Sequence, residues 1–251
     1  MKILVCVKRV PMTGGRIVLT PDEQAIETRH LGFTISPHEE CGVEEAVRIV
    51  ERGGGEVVVL TLGPPEAEEQ LRDAMAIGAD RAILLETDGA DWDAQATAAA
   101  ILEAIVADGG SFDLIVFGNE SADSGNYQVG IRVAHALGLP VVTGLKGLAV
   151  DGDQVRCEQD AGAGRDVYVV PLPAVVTVKE GLNLPRYPSV PGRLRAKSKP
   201  LARSTPARSD ARLEKVRLVL PPGQGKQAEI LGHGPEAAPA VVEVLVGLGV
   251  A

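Results

Sequence analysis

The chain has 251 residues, 45% of them apolar, 24% charged and only 3% aromatic, with a formal net charge of −9 at pH 7. That length suits one large domain or one domain with an appendage, and the negative charge argues against general nucleic-acid binding. No apolar run approaches a membrane span. A core this poor in aromatics must be built from Val, Leu, Ile and Ala, as in parallel sheets covered by helices.

Strand and helix patterns alternate through the first half of the chain. Lys2–Val7 is a continuous apolar run of strand length. It reads as a first strand and not as a signal peptide, because it is short and ends in Lys8-Arg9. Ser36-Pro37-His38-Glu39 opens a helix: Ser36 and Glu39 form a capping box, and Pro37 fits the first helical position. Val43, Ala46, Val47 and Val50 then share one face, and Gly53-Gly54-Gly55 ends the helix. Val57–Leu62 is the next strand, Gly63-Pro64-Pro65 a turn, and Leu71, Ala74 and Met75 mark one side of a helix. Ala82–Leu85 reads as strand, Ala94–Val106 as helix, Leu114–Phe117 as strand and Tyr127–Leu137 as helix. Such alternation predicts right-handed βαβ crossovers and a mainly parallel, doubly wound α/β sheet.

The pattern changes after Pro140. Gly147–Val150 and Gln154–Glu158 flank the turn Asp151-Gly152-Asp153 and read as a hairpin. Asp166–Val170 and Ala174–Val178 are further strands, so an antiparallel section is expected to extend or cover the sheet edge. Between Arg186 and Arg212 stand Arg186, Arg193, Arg195, Lys197, Lys199, Arg203, Arg208 and Arg212, against the single acid Asp210. Four prolines interrupt the segment (Pro188, Pro191, Pro200 and Pro206). They predict a mobile basic loop leading into a tail. Ala237–Leu248 closes the chain as a helix apolar on most sides, which needs a surface to cover it, such as one on another chain.

Cys6, Cys41 and Cys157 are isolated and odd in number, which fits buried reduced thiols in a cytoplasmic protein. His30, His38, His135 and His233 are scattered, without metal-ligand spacing. No Ser/His/Asp or Cys/His arrangement is readable. The informative stretch is 118–130, GNESADSGNYQVG, which links a buried strand to a helix. In an open α/β sheet, ligands bind at the carboxyl ends of strands. Gly118, Gly125 and Gly130 would let backbone approach a ligand. Ser124, Asn126 and Gln128 offer donors, and Asp123 suits a ribose hydroxyl or a structural bond to the loop backbone. The N-terminus of the following helix suits a phosphate. The competing reading is a polar surface loop that caps the helix.

The chain resembles the beta subunit of electron transfer flavoproteins. The resemblance rests on VKRVP at 7–11, SPHEE and VEEAVRI within 36–49, GPPEAEEQLRDAMAIGADRAI at 63–83 and DSGNYQVG at 123–130. LPAVVTV at 172–178 and NLPRYPSVPGRLRAKSKP at 183–200 complete it. It covers essentially the whole chain. It implies a Rossmann-like, adenine nucleotide alpha hydrolase-like sheet with antiparallel edge strands and an extended C-terminal arm. The implied layout is a nucleotide-binding domain over 1–183, a basic partner-recognition loop over 184–205, and an arm and helix over 206–251 packing on an alpha subunit.

The implied function is electron transfer. Such a heterodimer takes electrons from acyl-CoA and related dehydrogenases through an FAD shared with the alpha subunit, and passes them to a quinone oxidoreductase. The beta subunit would hold a structural AMP. By resemblance, that pocket is lined by Cys6, by Ser36, Pro37, His38 and Glu39, and by Leu62. It is completed by Gly118, Asn119, Glu120, Ser121, Ala122, Asp123, Ser124, Gly125, Asn126, Tyr127, Gln128 and Val129. Val190 would anchor partner dehydrogenases, with Arg193, Arg195 and Lys197 steering acidic surfaces; a solvated basic loop is the plainer reading. The flavin-facing positions of the family match Thr13 and His38. Gln128-Val129-Gly130, and Asp93 with Thr97, resemble the electron-bifurcating branch, in which a second FAD replaces AMP and NADH is oxidised. Asp93 and Thr97 also read as plain helix-start residues.

Overall fold

The structure is a computed structural model that describes residues 1–12, 14, 17–221 and 229–250. Two compact units divide it, Met1–Val216 and Arg217–Ala251. In the first unit, β1 (Lys2–Cys6), β4 (Glu56–Gly63), β5 (Arg81–Glu86), β6 (Leu114–Gly118), β7 (Val141–Asp151), β8 (Gln154–Ala161), β9 (Gly164–Pro171), β10 (Ala174–Val178) and β11 (Leu201–Ser204) form one sheet. Their spatial order is β11-β5-β4-β1-β6-β10-β7-β8-β9. β2 (Arg9–Pro11) and β3 (Phe33–Ile35) pair separately as a small antiparallel ribbon. Every pairing from β11 to β7 is parallel, and only β8 and β9 run antiparallel to their neighbours.

The alternation of side chains across each strand splits the core into two layers. Ile3, Val5, Val57 and Val59 face α1 (Pro37–Gly53) and α2 (Glu68–Ile77), joining Val43, Val47, Leu71 and Met75. Leu4, Cys6, Val58 and Leu60 face the other way, toward α3 (Ala94–Ala107) and α4 (Val129–Leu137), joining Ile101, Ile105 and Val133. Burial on both faces explains why β1, β6 and β10 read as unbroken apolar runs. Gly42 lets α1 sit close: a Cβ there would come within 3.1 Å of Val116.

Two expectations need correction. Ala174–Val178 is not an edge strand but lies between β6 and β7, parallel to both. Only the β7-β8-β9 meander extends the edge. The stretch 186–212 is not simply a loop: Val190–Ala196 forms a short helix, α5, capped by Ser189, and β11 adds a parallel strand beside β5. Proline at the second position of α5 suits a helix start, so the prolines that suggested interruption instead punctuate regular structure. The Arg217–Ala251 unit carries α6 (Ala238–Gly247) behind a 3-10 turn at Gly234–Ala237. Val241, Val242, Val244, Leu245 and Val246 of α6 are exposed, so its apolar character is real.

Gly130 also departs from expectation. It is buried on α4, where a Cβ would meet Phe117 at 3.0 Å and Thr177 at 3.1 Å. Its smallness serves the contact between helix and sheet. Gly130→Val should therefore lower the unfolding free energy by about 1–3 kcal/mol in urea denaturation; an unchanged midpoint would show that α4 has room to move.

Candidate functional site

The strand order reverses between β1 and β6. From β1 the chain winds outward through β4 and β5, then returns to the opposite side of β1 as β6. The loops at the carboxyl ends of these two strands diverge and leave a crevice. A cleft of about 470 Å³ lies there, lined by Ser36, Pro37, His38, Glu120, Ser121, Ala122, Asp123, Ser124, Gly125 and Glu180. The volume falls within the ordinary range for small-molecule sites.

Lys8, just past β1, ties the cleft together. Its backbone N–H donates to Glu39 Oε2 at 2.5 Å, its ammonium pairs with Asp123 Oδ2 at 2.7 Å, and the same Nζ reaches Ser124 Oγ at 3.3 Å. Ser121 and Ser124 share a hydrogen bond of 2.9 Å. Burial raises the Asp123 carboxyl, but the Lys8 charge and hydrogen bond outweigh it and hold the group below its ordinary range. Gly118 is required by the same packing, since a Cβ there would lie 2.6 Å from Glu39 Cγ.

Half of the expected capping box forms. Ser36 is the N-cap of α1, yet its side chain makes no cap bond. The Glu39 carboxyl does take up backbone N–H groups of Lys8 and Ser36. His38 has a buried Nδ1 without a hydrogen-bond partner. Burial lowers the His38 pKa, against the opposing pull of Glu120 and Glu180, so the imidazole is neutral at neutral pH. The α4 helix begins at Val129, two residues later than expected. Tyr127 takes a positive φ of 56°, which ends any helical path through it. Non-glycine residues in that region cluster at ligand clamps and switches. The Gln128 side chain does not cap α4, because its Oε1 accepts from Arg132 Nη2 at 2.9 Å.

The structure thus brings Ser36, Pro37, His38 and Glu120–Gly125 to one cleft. Glu39, Gly118 and Asn119 lie beneath it at the strand ends. Asn119 Oδ1 accepts from Thr177 Oγ1 at 2.8 Å, and Thr177 Oγ1 accepts from the Gly144 N–H at 3.0 Å, which links the loop to β10 and β7. Asn126, Tyr127, Gln128 and Val129 lead from the rim to α4 and do not line the cleft. Cys6 is buried in the core beside Glu39, where burial pushes its thiol pKa up. Leu62 packs against the α3/α4 core layer. Sequence reading missed Lys8 and Glu180 as site residues; Lys8 stood within the VKRVP motif, while nothing local marked Glu180. Thr13 lies outside the described residues.

Asp93 caps α3 through the Ala96 N–H at 2.7 Å and also accepts the Arg212 and Leu213 N–H groups. Val190 opens α5 and is 72% exposed. Arg193 pairs with Asp73 at 3.3 Å, while Arg195 and Lys197 are exposed. Part of the basic segment is neutralised: Arg186 by Glu44 and Glu51, Arg203 by Glu68 and Glu86. Among the described residues no cluster of His, Cys, Asp or Glu could hold a metal ion. No described helix is long and apolar enough to cross a membrane.

Burial raises the Glu39 carboxyl from 4.5 to about 8, with the Lys8 N–H bond and charge opposing. Between about 4.5 and about 8 the folded chain therefore holds a proton that the unfolded chain has lost. Stability from this group is present below that window and is lost as pH rises through it. Glu39→Gln, which mimics the protonated form, should remove a pH-dependent loss of on the order of 3 kcal/mol between about pH 5 and about pH 8.5 in denaturation curves. Parallel pH profiles for the two proteins would mean that Glu39 is already ionised in the fold.

Comparison with known proteins agrees with this architecture. The family described as the electron transfer flavoprotein domain matches residues 25–209. A protein of Syntrophomonas wolfei subsp. wolfei named electron transfer flavoprotein subunit beta is 37% identical over 231 residues, covering 92% of this chain and 90% of that protein. One of the same name from Bacillus subtilis is 32% identical over 253 residues, covering 98% and 97%. The Caffeyl-CoA reductase-Etf complex subunit CarD of Acetobacterium woodii is 34% identical over 206 residues, covering 80% and 77%. A chain with this sheet, and with this similarity over nearly its whole length, belongs to the electron transfer flavoprotein family as a relative of its beta subunits.

Proposed function

We propose that this chain pairs with an alpha subunit, shares an FAD with it, and holds AMP in the cleft between β1 and β6. The heterodimer would accept electrons from acyl-CoA dehydrogenases and deliver them to a quinone oxidoreductase. The observation that carries this reading is the cleft at the reversal of strand order, beside a helix start whose N–H groups no side chain caps. The beta chain contributes no substrate chemistry in this reading. FAD, when bound, supplies reversible electron uptake and release, and the protein supplies position and electrostatics.

The residues fit a nucleotide in a specific way. Glu120, Asp123 and Glu180 make the cleft acidic, which suits ribose hydroxyls and an exocyclic amino group rather than free phosphate. The phosphate end belongs at the start of α4, where N–H groups and the helix dipole favour an anion. His38 lines the cleft with its imidazole kept neutral by burial, a neutral polar face for a cofactor. Gly125 keeps a side chain out of the approach. Val190, Arg195 and Lys197 lie exposed on one short segment and suit docking of a partner with an apolar pocket and an acidic rim.

The alternative is an electron-bifurcating subunit with a second FAD, an enzyme that oxidises NADH. Similarity to a subunit named for a caffeyl-CoA reductase complex keeps it in view. The Asp93 carboxylate argues for AMP, because α3 and the 212–213 backbone already occupy it. The test is to denature the heterodimer and quantify released nucleotides by chromatography. One FAD and one AMP per heterodimer are expected. Two FAD and no AMP would replace the AMP assignment with the bifurcating one.

A further inference from the structure

The segment 183–199 is fastened to the helices beneath it at both ends. At its start, Asn183 Nδ2 donates to Cys41 O at 3.0 Å and Arg48 Nη2 donates to Leu184 O at 3.2 Å. Arg186 then forks: Nε lies 2.9 Å from Glu44 Oε2, and Nη1 lies 2.7 Å from Glu51 Oε1. The Arg186 backbone N–H also donates to Glu44 Oε2, at 3.1 Å. Glu44 is 1% exposed, so the pair is anchored in α1 and not merely laid on it. At the far end, Arg72 Nη1 donates to Ala196 O at 2.7 Å and to Lys199 O at 2.8 Å. Lys199 Nζ in turn binds the carbonyls of Met75 in α2 (3.0 Å) and of Ala79 just past its end (2.6 Å). Between these clamps Gly192 sits flush on α2, with 2.5 Å from a would-be Cβ to Ala76 O.

The apolar side chains of the same segment point the other way. Leu184 is 84% exposed, Tyr187 96%, Val190 72% and Leu194 63%. A segment whose polar atoms are bound below and whose large apolar groups stand free above is ordered before any partner arrives.

We infer that Arg186, held by buried Glu44 and by Glu51, is a positioning residue that fixes this apolar row in its docking shape. Association loses side-chain and loop freedom, and a row that is already fixed loses less. Arg186 touches no partner in this reading. Its effect is on how often the row presents the binding shape. The inference rests on the proposal that partners dock at Val190.

The test uses the FAD-loaded heterodimer and a flavin-containing acyl-CoA dehydrogenase. Arg186→Met keeps most of the side-chain stem and leaves Glu44 paired with Arg48 at 2.5 Å, so the fold is retained. FAD content should match wild type, while backbone hydrogen exchange over 183–189 should accelerate. The dehydrogenase KM for the heterodimer should rise roughly tenfold with kcat unchanged. Val190→Asp serves as the control for docking itself and should raise KM without accelerating exchange. If Val190→Asp raises KM but Arg186→Met does not, the positioning role is overturned and the docking site stands. If Val190→Asp leaves KM unchanged, the docking reading fails and the positioning role fails with it.

Discussion

The bond between the Lys8 N–H and the buried Glu39 carboxyl joins the end of β1 to the start of α1 at the place where the sheet changes direction. From that junction the Lys8 ammonium reaches across to Asp123 and Ser124 in the loop that follows β6. Three segments far apart in sequence are thereby set around one cleft. A buried carboxyl at this point is costly unless it is protonated or well bonded, and Glu39 is pushed toward the protonated state while accepting backbone donors. Polar groups are concentrated where the strands end because both sheet faces are sealed by helices.

Charge follows a second logic. The chain is acidic overall, and its basic residues are largely spent on structure. Arg81 bridges Glu56 and Asp108, Arg203 bridges Glu68 and Glu86, and Arg186 bridges Glu44 and Glu51. Of the eight basic residues that mark the 186–212 stretch in the sequence, Arg186, Arg193 and Arg203 are paired with acids. Arg195 and Lys197 are exposed near α5, so under the proposed docking the steering of a partner would rest on few charges and the binding on apolar fit.

The parallel part of the fold was legible because it depends on local pattern. Lys2–Val7, Val57–Leu62 and Leu114–Phe117 are continuous apolar runs, and each helix between them shows a clear face. The position of Ala174–Val178 was not legible. An apolar strand reads the same at an edge or in the centre, and its return between β6 and β7 is set by partners distant in sequence. The 186–212 stretch misled because prolines and charges suggested a loop, whereas the buried Glu44, Arg72 and the α2 carbonyls supply the missing bonds. For the candidate site, Ser36–His38 came from family resemblance alone, and the 118–130 loop from its own chemistry and the resemblance together. Glu180 reaches the cleft, and Lys8 its Asp123, by tertiary placement, and Gly130 packs against Phe117 and Thr177 of the sheet.

The most direct measurement is hydrogen exchange of the heterodimer, stripped of nucleotide and then reloaded with AMP, read peptide by peptide over the beta chain. Binding at the reversal of strand order predicts new protection over 36–39 and 118–130, with the 183–199 segment unchanged. Protection confined to other parts of the chain, or none in those two stretches at saturating AMP, would contradict the assignment of this cleft.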